Sequence, residues 1–156
     1  MKINARTITF VLLLLAIAVS GYLSYLKIAN ANAVCLHGGR FDCGTVLNSK
    51  YSEFLGIPIA YLGLGTNLVV LALLILQRPS IPLMDEFGTV FIFGVLLFAF
   101  IFSVYLVYIQ AFVILAYCPW CLTHEVLVTL MFLIWTWELI KLLRGEDEAE
   151  PLPSGD

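Results

Sequence analysis

Two cysteine pairs carry the chemistry this sequence offers. Cys118 and Cys121 enclose Pro119 and Trp120 in a Cys-x-x-Cys motif, and Cys35 and Cys43 stand eight positions apart around Gly38-Gly39. The first pair has the spacing of a helix start. Cys118 is the predicted N-cap, Pro119 the first helical residue, where its missing N–H is no loss, and Cys121 the third. Free N–H groups and the helix dipole stabilise a thiolate there, giving a better leaving group and a more readily reduced disulfide. Disulfides move between pairs by thiolate attack through a mixed disulfide. Three other uses of cysteine compete with exchange. Packing as small apolar residues does not explain the Cys-x-x-Cys spacing. A zinc site would need four thiolates, yet one pair alone has ligand spacing and an oxidising compartment would take the ligands, so no metal is expected. Structural bridging is weak for Cys-x-x-Cys because the closed loop is so small. It leaves a disulfide-stapled membrane scaffold without turnover as the non-enzymatic alternative.

The elements that must position these thiols are apolar. Of the 156 residues, 62% are hydrophobic and 12% charged, with a net charge of −3; a soluble domain is about half apolar and about a quarter charged. Uncharged runs cover 7–26, 54–77 and 87–123, and apolar character resumes over 126–137. About 20 such residues cross a bilayer as a helix. Four transmembrane helices are therefore predicted, near 8–28, 56–76, 87–113 and 118–143. With both termini cytoplasmic, Lys2, Arg6, Arg78, Lys141 and Arg144 lie inside, against Lys27, Arg40 and Lys50 outside, the bias that orients membrane proteins. All four cysteines then lie in or beside the two outer loops, in a compartment that permits disulfides. The first run has the basic start of a signal peptide, and Ala31-Asn32-Ala33 looks like a cleavage site. It is longer than a signal core, and a three-helix remainder would enclose the thiols poorly, so retention is expected. The predicted fold is an all-α integral membrane four-helix bundle, with a long extracytoplasmic loop between helices one and two that caps the active site. Residues 1–144 form the transmembrane catalytic domain. Residues 145–156, with five acidic side chains and no basic one, form a disordered cytoplasmic tail.

Within the long loop, 30–55, Val46, Leu47, Lys50, Tyr51 and Phe54 recur at helical spacing, which predicts a short amphipathic cap helix. Gly56-Ile57-Pro58 is read as the start of helix two. Ser20, Gly21, Ser24, Gly63 and Gly65 are small enough for close helix contact. Tyr105, Tyr108, Trp135 and Trp137 are expected at the membrane interfaces. His124 and Glu125 fall one turn below Cys121, where ionisable groups are costly and usually functional. Asn67 and Gln110 have amides able to hydrogen-bond a carbonyl, or to pack within the bundle. A thiol pair at the rim of an apolar bundle can meet a lipid-soluble quinone, whose reduction takes up two protons; His124 is a candidate donor or relay. No G-x-G-x-x-G follows a strand, so no pyridine nucleotide is expected, and nothing points to nucleic acid.

Cys35-x7-Cys43, Ser49 six residues on, Gly56-Ile57-Pro58 at helix two, and Cys-x-x-Cys opening the last helix together resemble the vitamin K epoxide reductase family. The resemblance covers roughly 8–143. DsbB-type quinone oxidases share the chemistry but carry the cysteine motifs in the reverse order. The resemblance implies that Cys118 and Cys121 are the active-site pair, with Cys121 nearest the quinone. Cys35 and Cys43 would be the shuttle pair, Cys43 forming the mixed disulfide with Cys118 and Cys35 exchanging with an outside thiol protein. Ser49 would support the loop and the site. The implied activity is a quinone-dependent thiol-disulfide oxidoreductase that supports disulfide bond formation. Electrons would come from a separate extracytoplasmic thioredoxin-like (DsbA-like) partner and pass to a quinone of ubiquinone, menaquinone or vitamin K type. The alternative is a vitamin K epoxide or quinone reductase whose main product is the reduced vitamin. Animal members carry a tyrosine four positions after the second active-site cysteine; Glu125, preceded by His124, stands there instead and argues against epoxide reduction.

Overall fold

A computed structural model describes residues 5–29, 41–76 and 82–144. Cys35, the Gly38-Gly39 turn, most of the turn after helix two (77–81) and the acidic tail (145–156) lie outside the described residues. Among the described residues, four helices are long and apolar enough to cross a membrane. They are α1 (Ala5–Ala29), α3 (Ile59–Leu76), α4 (Pro82–Tyr108), which continues as a π-helical segment (Ile109–Ile114), and α5 (Pro119–Arg144). In lipid each backbone N–H and C=O must be satisfied within the chain, so unbroken helices are what such runs form. α1 packs on α3 and α5, and α4 packs on the same two helices, so the four close into a ring with α1 diagonal to α4.

One half of the ring is filled. Leu13 and Ala16 of α1, Val70 and Leu74 of α3, Ile92 and Leu96 of α4, and Leu127, Val128, Met131 and Trp135 of α5 form one buried cluster. Their spacings of three and four place each set on one helix face. Trp135 is 3% exposed and Trp137 59%. Trp135 therefore belongs to the core, where its indole N–H donates to Thr9 Oγ1 at 3.1 Å; a buried indole needs such a partner. The interface reading of Trp135 is corrected on this point. At the same end, the Arg6 guanidinium donates to the Leu74 carbonyl at 2.7 Å and ties α1 to the close of α3.

The other half is shaped by the chain between α1 and α3. The amphipathic helix expected there is broken. Asp42 caps α2 (Cys43–Leu47), accepting the Thr45 N–H at 3.1 Å. α2 ends at Asn48 and Ser49, whose N–H groups bond back to Gly44 and Val46. A 3-10 turn (Lys50–Ser52) follows, then β1 (Glu53–Phe54) and β2 (Ile57–Pro58), paired antiparallel. Leu55 (φ 54) and Gly56 (φ 81) are both left-handed, as a two-residue hairpin requires. Ile57 and Pro58 are therefore strand residues, and helix two begins at Ile59. Lys27, in the last turn of α1, donates to the Leu47 carbonyl at 3.4 Å and pairs with Glu53 at 3.3 Å. One basic side chain thus straps both ends of this segment to the bundle.

Candidate active site

α5 starts at Pro119, so Cys118 stands at its N-cap. The Cys118 carbonyl accepts the Leu122 N–H at 2.9 Å, and its sulfur accepts the Cys121 N–H at 3.4 Å. The sulfur takes the position a serine oxygen takes in an ordinary cap. Cys118 and Cys121 are free thiols, whereas Cys43 is held in a disulfide. The Cys121 thiol, hydrogen-bonded to Cys118, pulls the Cys118 pKa below the ordinary cysteine value. Burial opposes this, and the backbone N–H groups of Cys121 and Trp120 add to the lowering.

The loop brings Cys43 to this thiol by backbone pairing. Phe41 and Tyr117 form a parallel bridge, and the Asp42 N–H donates to the Tyr117 carbonyl at 3.2 Å. Cys43 directly follows Asp42, and Cys118 directly follows Tyr117. The two cysteines share a buried cluster with Val46 and Ala116, bordered by Leu47, Ile114 and Cys121. Cys43 is 1% exposed and Cys118 0%.

Cys121 faces the other way, into a cavity of about 720 Å³ that is mostly apolar. Asn67, Gln110, His124, Glu125 and Ser49 also line it. His124 turns toward α3. Ser20 Oγ donates to the Ala16 carbonyl at 2.7 Å and accepts from Asn67 Nδ2 at 3.2 Å, while Asn67 Nδ2 also meets His124 Nε2 at 3.0 Å. A carbonyl can only accept, so the chain of donors runs toward it from the Asn67 amide. His124 Nε2 is then the lone-pair nitrogen, with the ring proton on Nδ1. A Cβ at Gly63 would meet His124 Cε1 at 3.5 Å, an ordinary contact, which places the ring against this face of α3. Glu125 turns toward α4, where the Ser103 hydroxyl donates to its carboxyl.

Gln110 and Ser49 each make one side-chain hydrogen bond beside the thiols. The Gln110 Oε1 is taken by the Cys118 N–H at 3.0 Å. The π-helical stretch that carries Gln110 ends at Leu115 in the left-handed region, φ 56. The Ser49 hydroxyl donates to the Val46 carbonyl at 2.9 Å, so its described bond serves the end of α2. Ser20, Ser103 and Ser52 are site residues that sequence reading missed. Ser52 Oγ is buried with no hydrogen-bond partner among the described residues, and it lines the same cavity. The available signal was a small hydroxyl among apolar neighbours, which also describes residues that merely pack.

The described residues contain no cluster of three or more His, Cys, Asp or Glu able to hold a metal ion. The sequence matches the vitamin K epoxide reductase family over residues 7–137. It is also similar to the thiol-disulfide oxidoreductase LTO1 of Arabidopsis thaliana, 43% identical over 54 residues, which are 35% of this chain and 14% of that protein.

Proposed function

The chain belongs to the vitamin K epoxide reductase family, and on that premise we propose that it is a quinone-dependent thiol-disulfide oxidoreductase of the membrane. Its family and its relative are both named for redox reactions. The observation that carries the finer reading is the position of the thiol pair: Cys118 is sealed beside Cys43, while Cys121 opens on the apolar cavity. An outside protein has no direct path to Cys118, so a loop cysteine must mediate. Cys43 is sealed as well, and Cys35 takes, in this reading, the role the family resemblance implies, exchange with an extracytoplasmic thioredoxin-like partner.

With Cys118 and Cys121 bridged, the Cys43 thiolate attacks Cys118 Sγ, forming the Cys43–Cys118 bond and releasing Cys121 as a thiolate. The Cys35 thiolate then attacks Cys43, closing the loop disulfide and freeing Cys118. The described state, with Cys43 bridged and Cys118 and Cys121 free, matches this stage. The loop disulfide oxidises the partner's two thiols. A quinone, of ubiquinone, menaquinone or vitamin K type, accepts the two electrons and two protons that the Cys118 and Cys121 thiols give up as their disulfide is remade.

The cavity fits such a molecule in volume and in apolar lining. His124 and Glu125 flank the reacting end and supply or relay the protons; Asn67 orients His124, and Gln110 adds an amide. Ser49 holds α2 and thereby Cys43. Both termini are assigned to the cytoplasm and the thiols to the outer face, by the basic-residue bias. Residues 1–144 are assigned as the catalytic domain.

The test uses the purified chain, a reduced thioredoxin-like protein and a short-chain ubiquinone, following thiols and quinol together. One quinol formed per two thiols lost is expected. Thiol loss that does not depend on quinone contradicts the reading. Reduction of vitamin K epoxide at the same rate would favour the reductase alternative.

A further inference from the structure

Gln110 touches the redox pair and the cavity at once. Its Oε1 takes the Cys118 N–H at 3.0 Å. The residue is 4% exposed, so what its other end meets is set by the protein. Gln110 also lines the cavity, and none of the described hydrogen bonds is donated by its Nε2. An amide NH2 facing hydrocarbon is disfavoured, which marks this one as a donor awaiting an acceptor. The π-helical segment gives the arrangement its geometry: one extra residue per turn rotates the side chains away from the α-helical register just before the cysteine motif.

We propose that Gln110 is a positioning residue that couples occupancy of the cavity to the backbone of Cys118. Its NH2 donates to an oxygen of the bound quinone or quinol while its Oε1 holds the Cys118 N–H. The carboxamide is one rigid plane, so an oxygen seated at one end fixes the other. The Cys118 N-cap is thereby held most firmly when the electron acceptor is in place. No aliphatic residue does this, and a carboxylate does only half of it, because it accepts but does not donate.

The inference rests on the quinone reading, and the experiment separates the two. Protein labelled with 15N-cysteine gives one amide signal per cysteine, and the Cys118 signal is assigned by its loss in Cys118→Ser. Fully reduced protein is titrated with a short-chain ubiquinol, so that no electrons flow. The Cys118 signal of the wild type is expected to move. Gln110→Leu should displace that signal before any addition and abolish the response. Gln110→Glu should leave the starting signal near its wild-type position, abolish the response, and raise the KM for quinone by about tenfold, the loss of one hydrogen bond. A wild-type signal that does not respond, or equal responses in wild type and Gln110→Glu, overturns the coupling while quinone turnover stands. No quinone-dependent turnover in the wild type overturns both.

Discussion

Where Leu13, Leu74 and Trp135 meet, the four long helices fill the space between them; where Cys121 sits, the same helices leave about 720 Å³ open. Ala99 and Val128 border both regions. The difference lies in a few side chains. The filled half interlocks Leu, Ile, Val, Met and Trp. In the open half, Ser20, Asn67, Ser103, Gln110, His124 and Glu125 occupy inward positions and bond to one another or to backbone. Polar groups that bond mainly to one another or to backbone allow a hollow to stand open among apolar helices. One half thus supplies rigidity and the other supplies a site, and mutations should separate the two.

The largest effect is expected at the thiols. Cys118→Ala and Cys121→Ala should each reduce quinone-linked thiol oxidation to background, with helicity by circular dichroism unchanged. His124→Leu comes next. If it serves as proton donor or relay, kcat should fall by about a hundredfold, the low end of what general acid catalysis supplies, and steady-state rates at saturating quinone check this. Met131→Ala, in the filled half, should behave in the opposite way. It should lower unfolding stability by about 2–3 kcal/mol through the cavity it leaves, seen as a lower Tm, while the KM for quinone stays put. If Met131→Ala alters KM and His124→Leu alters only Tm, the division into halves is wrong. The smallest effect is in titration. The Cys118 thiol is held below the ordinary cysteine pKa, so its thiolate persists at lower pH. In 13Cβ-cysteine spectra its midpoint should lie acid of an ordinary cysteine's, and Cys121→Ala should move it back up.

The filled half and the open half were not equally legible in the sequence. Uncharged runs give four spans because bilayer thickness sets helix length, and Pro119 marks the start of α5 because proline belongs in a first turn. Trp135 was misjudged because its partner, Thr9, lies 126 residues away; interface preference is a local rule and this contact is not local. Gly56 does mark a change of direction, but the hairpin it serves needs Leu55 in the left-handed region too, and no local pattern favours leucine there. The π-helical segment has no glycine or proline to announce it. The bond from the Cys118 N–H to Gln110 is accordingly not legible in the sequence, although the amide's capacity to meet a carbonyl is. His124 and Glu125 stand out by charge alone, whereas their opposite facings, toward Asn67 and toward Ser103, emerge only once the ring of helices is assembled.

The relay from the loop to the helix N-terminus is tested most directly by trapping it. In the double variant Cys35→Ser with Cys121→Ser, both thiols that can resolve the mixed disulfide are gone, so the bond between Cys43 and Cys118 should accumulate when the protein is oxidised. Non-reducing digestion and mass mapping should find that cross-link as the dominant species. If Cys43 and Cys118 both remain free thiols in the oxidised double variant, electrons do not pass between them and the account is contradicted.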